Sequence, residues 1–184
     1  MTTFFLTFLS VALAMLAGRE AVRVARLASA GAKPAALLSV ALVCAIGACA
    51  AAAWLATSFA DLLTPEHKRW FVAAALALAA AEVAFLDAPS APQEPTQSLG
   101  AIFIVLFAGI FADASGLLVL SLSVASGAPV LAAAGGTLAA AGVLGIAIMA
   151  GPDWELLPRK MLRVTIAMLL IVAAIAIGLS DAIV

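Results

Sequence analysis

The chain has 184 residues, 66% of them hydrophobic and 10% charged, with a mean hydropathy of +1.25. Such values exclude an ordinary soluble domain and point to an all-α integral membrane protein, with room for about six spans of roughly 20 residues. A net charge of −1 gives no basic surface for nucleic acid, so the partner the composition implies is the lipid bilayer.

The first apolar run starts near Thr3. No Lys or Arg precedes it, and its pattern returns later in the chain, so it is expected to remain as a first helix rather than leave as a signal peptide. It continues through Met15 into GREAVRVARLASAG, where Arg19, Arg23 and Arg26 share one helix face and Glu20 is placed to pair with Arg23. Two readings stand open here. The helix either leaves the bilayer with its arginines snorkelling to headgroups, or sets Arg19 and Glu20 inside a polar site between helices.

A second span is expected over 34–58, opened by Pro34 at a position that tolerates a missing N–H. Cys44 and Cys49 lie five apart within it, a spacing that suits small apolar fillers rather than a disulfide or metal motif. Residues 62–70 (LLTPEHKRW) read as a polar loop with Thr64 as a cap, and the single histidine, His67, as a solvated loop residue. The third span, 70–86, contains Glu82, either near enough to its end to reach the interface or facing the bundle as a buried carboxylate.

Three prolines between 87 and 98 mark a linker. It divides the chain into a first three-helix repeat, 1–86, and a second, 99–184. The fourth span, 99–126, is interrupted by one acid, Asp113, followed by Ser115 and Gly116; an ionisable group at membrane depth is expensive and is by default a candidate site. A fifth, 129–150, carries Gly135, Gly136, Gly142 and Gly145, small residues that admit close helix approach. Loop residues Gly151, Asp153, Trp154 and Glu155 lead to the sixth, 158–180.

The halves repeat: Met15 to Pro34 and Ile110 to Pro129 each span 19 positions, with a polar cluster early and a proline at the end. Arg19, Arg23, Arg26 and Lys33 in one connection and Arg159, Lys160 and Arg163 in another fall on one side of a six-span layout, against Lys68 and Arg69 on the other. The bias places those two connections in the cytoplasm and both termini on the non-cytoplasmic side. Three spans per half then invert the repeats relative to each other, a recurring plan of secondary transporters. Alanine richness without a single tyrosine suggests a high-GC bacterial genome, hence a bacterial inner membrane.

On these residues the chain resembles the small six-helix cation/proton exchangers related to the Golgi manganese and calcium transporter, which carry E-x-G-D-K-[ST] once per half. In the proline register the second motif reads Ile110-Phe111-Ala112-Asp113-Ala114-Ser115, keeping the acid and the hydroxyl. The first reads Met15-Leu16-Ala17-Gly18-Arg19-Glu20, keeping a cation at Arg19 with Glu20 in place of the hydroxyl. Shifting the second half by three would make Asp113 the motif's first acid, at the cost of that register.

The resemblance implies a transported manganese or calcium ion and no resident cofactor. It makes Asp113, Ser115, Glu20 and Glu82 the candidate metal ligands, and Arg19 a candidate ion-pair partner for Asp113. The depleted motifs leave an alternative open: a transport-inactive scaffold or accessory subunit packed into a larger membrane complex or a homo-oligomer. An enzyme is not expected, because no Ser-His-Asp set, HExxH, CxxC or phosphate loop is present.

Overall fold

The computed structural model describes residues 1–87 and 98–179. The linker expected at 87–98 therefore lies, from 88 to 97, outside the described residues, as does the end of the last span at Ser180. Among the described residues every regular element is helical: α1 (Thr2–Ala17), α2 (Arg19–Ser29), α3 (Pro34–Leu62), α4 (Pro65–Phe85), α5 (Leu99–Ala112), α6 (Ala114–Ser126), α7 (Pro129–Ala150), a 3-10 turn (Gly151–Leu156) and α8 (Arg159–Leu179).

Local chemistry explains the starts. Pro34, Pro65 and Pro129 each open a helix, where their missing N–H is not needed. Thr64 caps α4 by accepting from the His67 amide at 3.4 Å, and Ser98 caps α5 through the Ala101 amide at the same distance. That cap moves the start of α4 ahead of the sequence expectation. Residues 65–70 are its first turns rather than a loop, and His67 is exposed there, with Nδ1 2.8 Å from Thr64 Oγ1.

The first and fourth expected spans are each broken. Between α1 and α2 the backbone is extended at Gly18 (φ −69°, ψ 156°) and the axis turns by 57°; between α5 and α6 it is extended at Asp113 (φ −89°, ψ −177°) and the axis turns by 49°. The first span is thus not one long tilted helix carrying all three arginines. Gly18 lies 16 positions before Pro34 and Asp113 16 positions before Pro129, so the breaks fall at the positions that the proline register makes equivalent.

Three helical segments, α3, α7 with its 3-10 extension, and α8, are long and apolar enough to cross a membrane; the number becomes five if each bent pair is one span. The expected third span is present as α4, but Glu66, Lys68, Arg69 and Glu82 within its 21 residues keep it from qualifying on composition.

The halves interlock. Helix α7 packs against α1 and α3, α3 also against α5 and α6, and α4 against α8 and α6. Two of the four glycines noted in α7 make the closest of these contacts. A Cβ on Gly135 would run into the Phe4 carbonyl and sit 3.1 Å from the Phe8 amide; one on Gly136 would lie 3.3 Å from Cys49 Sγ. Gly142 meets nothing within 4 Å, and Gly145 only a Leu38 methyl at 3.4 Å. Cys44 and Cys49 are buried and free, as fillers should be.

Candidate functional site

Asp113 is held by the helix it starts. Its Oδ1 accepts hydrogen bonds from the amides of Ser115 (2.9 Å) and Gly116 (3.3 Å) and from the Ser115 hydroxyl, which also lies 3.3 Å from the Ile110 carbonyl. These amides are donors that an α-helix leaves free in its first turn, and the positive end of its dipole adds to their attraction for a carboxylate. An acid that would be costly at this depth is thereby made part of the local fold, and its side chain is 4% exposed.

A second carboxylate reaches the same helix start. Glu82, in the last turn of α4, lines one cleft with Asp113 and Ala114. Two acids from different elements thus meet at the start of α6. Of the two readings of Glu82, the interior one fits: its side chain is 11% exposed.

The cations come from the other break. Arg19, the first residue of α2, places Nη2 3.2 Å from Glu82 Oε1 and Nε 3.7 Å from Glu20 Oε1. Arg23 Nη1 donates to both oxygens of Glu20, at 2.8 and 2.6 Å. Glu20 is fully buried, and what makes room for it is Gly109 of α5: a Cβ there would lie 2.5 Å from the carboxyl carbon. Arg26 turns away and pairs with Glu155 of the 3-10 turn at 2.7 Å.

Arg19, Glu82 and Asp113 line one cleft, closed by Gly18, Ala114 and Leu86 among others, whose free volume of about 20 Å³ holds little more than one water or a bare ion. Both helix breaks therefore open on the same space. Of the expected site residues, the structure brings Asp113, Glu82 and Arg19 together, seats Ser115 on Asp113, and sets Glu20 one ion pair further in. One expected pairing is replaced. The ion pairs of Arg19 are with Glu82 and Glu20 rather than with Asp113, because the α6 amides already occupy the near oxygen of Asp113. Among the described residues no group of three or more His, Cys, Asp or Glu is arranged to hold a metal ion, since arginines stand between the acids.

Sequence reasoning passed over two residues here. Gly109 is one; a glycine inside an apolar helix four positions before the acid was the available signal. Arg163 of α8 is the other. Its guanidinium donates to the carbonyls of Val83 (2.8 Å), Ala84 (3.2 Å) and Leu86 (3.0 Å) and to Asp87, and so grips the end of α4 next to Glu82. Nothing in its sequence neighbourhood marks that contact, which spans about 80 positions.

Set against family models, curated proteins and solved structures, the chain matches none of them.

Proposed function

We propose that this protein is a secondary-transporter-like membrane protein: a cation/proton exchanger of the manganese and calcium type whose site has been altered. The observation that carries this reading is the convergence of two helix breaks, at equivalent places in the two halves, on one cleft that holds buried charge. Broken helices whose ends face a polar site between repeats are how such transporters present backbone and charge to an ion without exposing either to lipid.

In this reading α4, third in chain order, is also a span and brings the number from five to six. Its Glu66, Lys68 and Arg69 sit in the first two turns, at interface depth, and its Glu82 turns into the cleft, so neither end places charge against lipid. Six spans then form two inverted three-helix repeats, with both termini outside the cytoplasm of a bacterial inner membrane. Asp113 carries the ion or proton, Ser115 orients it, and Glu82 and Glu20 balance Arg19 and Arg23.

The alternative, a transport-inactive scaffold in a larger membrane complex or homo-oligomer, has one observation on its side: Arg19 and Arg23 are spent on Glu82 and Glu20, as structural pairs would be. Uptake of radioactive manganese or calcium, and acidification or alkalinisation of the lumen, in proteoliposomes under an imposed proton gradient separates the two. Ion-dependent proton movement that Asp113→Asn abolishes supports the exchanger; no ion-dependent movement of protons with any cation, by folded protein, overturns it in favour of the scaffold.

A further inference from the structure

The charged groups around the cleft can be counted. Glu20 and Arg19 with Arg23 come from α2, Glu82 from α4 and Asp113 from the α5–α6 break. The nearest other charges pair off outside it, Arg163 with Asp87 and Arg26 with Glu155. With every group ionised, three carboxylates against two guanidiniums give the cluster a formal charge of −1. Glu20 and Glu82 each pair with a guanidinium directly, whereas Asp113, 4% exposed, accepts hydrogen bonds only from neutral donors and has Arg19 across the cleft without an ion pair. All its hydrogen bonds end on Oδ1, and among the described residues Oδ2 has no hydrogen-bond partner, although the residue lines the cleft. The carboxylate thus keeps one oxygen free of hydrogen bonds, in a residue that lines a space for one small occupant.

We propose that this cleft takes up a single unit of positive charge, an alkali cation or a proton at Asp113, and that Arg19 is the residue that fixes this valence by filling the place of a second charge. A divalent ion entering a site of charge −1 would leave a net buried positive charge, and hard divalent ions also require several carboxylate oxygens, two of which Arg19 already holds at Glu82 and Glu20. A monovalent charge leaves the site neutral. Removing the guanidinium while keeping Arg23 raises the site to −2 and frees the Glu82 carboxylate toward Asp113, which is the arrangement a divalent ion needs. The proposal rests on the exchanger reading for its biological meaning, but valence is a property of binding and can be measured without transport.

The test uses purified full-length protein in lipid nanodiscs, with the thermal unfolding midpoint followed by tryptophan fluorescence. For the unaltered protein, sodium chloride replacing choline chloride at constant ionic strength raises the midpoint if the occupant is an alkali cation. If the occupant is a proton, lowering the pH from about 8 to about 6 raises it without a sodium response. Millimolar calcium or manganese does neither. In Arg19→Gln, calcium or manganese becomes stabilising, with half-saturation at least about tenfold below that of the unaltered protein, a difference of about 1.4 kcal/mol. Glu82→Gln, which makes the site neutral, loses the monovalent response and gains no divalent one.

A divalent response of the unaltered protein equal to that of Arg19→Gln overturns the proposal, as does a folded Arg19→Gln that gains none. If Arg19→Gln does not fold, a Glu82→Gln that keeps the monovalent response overturns it and one that loses it supports it. The two readings fail separately: calcium or manganese flux by the unaltered protein sinks the valence inference and keeps the exchanger, while monovalent binding without any flux sinks the exchanger and keeps the valence.

Discussion

The two helix breaks reach nearly the same shape by different means. At Asp113 the side chain itself caps the new helix, with two amides and a hydroxyl bound to one oxygen. At Gly18 no side chain caps α2; the Gly18 amide bonds to the Met15 carbonyl at 3.1 Å, which closes α1. The second break is built from its own residues. The first is held from outside, by Arg19 on Glu82 and by Glu20 seated on Gly109. The second half supplies one acid fixed by its own helix, and the first supplies both guanidiniums together with the two acids that pair with them, so the site is a contact between unlike copies of one plan.

That contrast can be broken most severely where the first break meets the second half. Gly109→Leu forces atoms into the volume of the Glu20 carboxyl, separating a fully buried acid from its Arg23 partner. We expect a loss of about 3 kcal/mol or more, since overpacking and a disturbed buried ion pair act together; unfolding in mixed detergent micelles measures it. A variant within about 0.5 kcal/mol of the original would mean that α5 does not press on Glu20.

Asp113→Ala removes a cap, and we expect a loss of about 1–2 kcal/mol in the same assay, with Asp113→Asn, which still accepts, losing less. Gly18→Ala should do least. Its φ is not of the left-handed kind, and the added Cβ meets the Ala14 and Met15 carbonyls at 3.1 and 3.2 Å. A cost of about 0.5–1 kcal/mol is expected, from that crowding alone. If Gly18→Ala costs as much as Asp113→Ala, the first break depends on its own residue after all, and the contrast fails.

Much of this was legible in the chain. Uniform apolarity announced the membrane class, prolines at 34 and 129 marked helix starts, and their matched offset from Met15 and Ile110 made Gly18 and Asp113 equivalent positions, although in the sequence each span reads as continuing through them unbroken. Asp113 stood out because an acid among Ile, Leu and Phe must be accommodated, and Ser115 and Gly116 behind it are what a cap needs. Glu82 remained ambiguous, because depth along a helix does not say which neighbour the face meets. The expected Arg19–Asp113 pair missed for a similar reason: charge alone favours it, but the amides of α6 compete for Asp113 and win by proximity.

The sequence by itself determined the helical class, the proline-marked helix starts at 34 and 129, the matched offset of the two halves and the identity of the charges available to a site. Only the tertiary structure decided which charge faces which, because the crossing of α2 and α4 brings Arg19 within 3.2 Å of Glu82, 63 positions away, and the α5–α6 break sets Asp113 in the same cleft. Gly109 shows the dependence most directly. It reads as one more small residue along an apolar helix, and it acquires its role only when α2 lays a carboxylate across it.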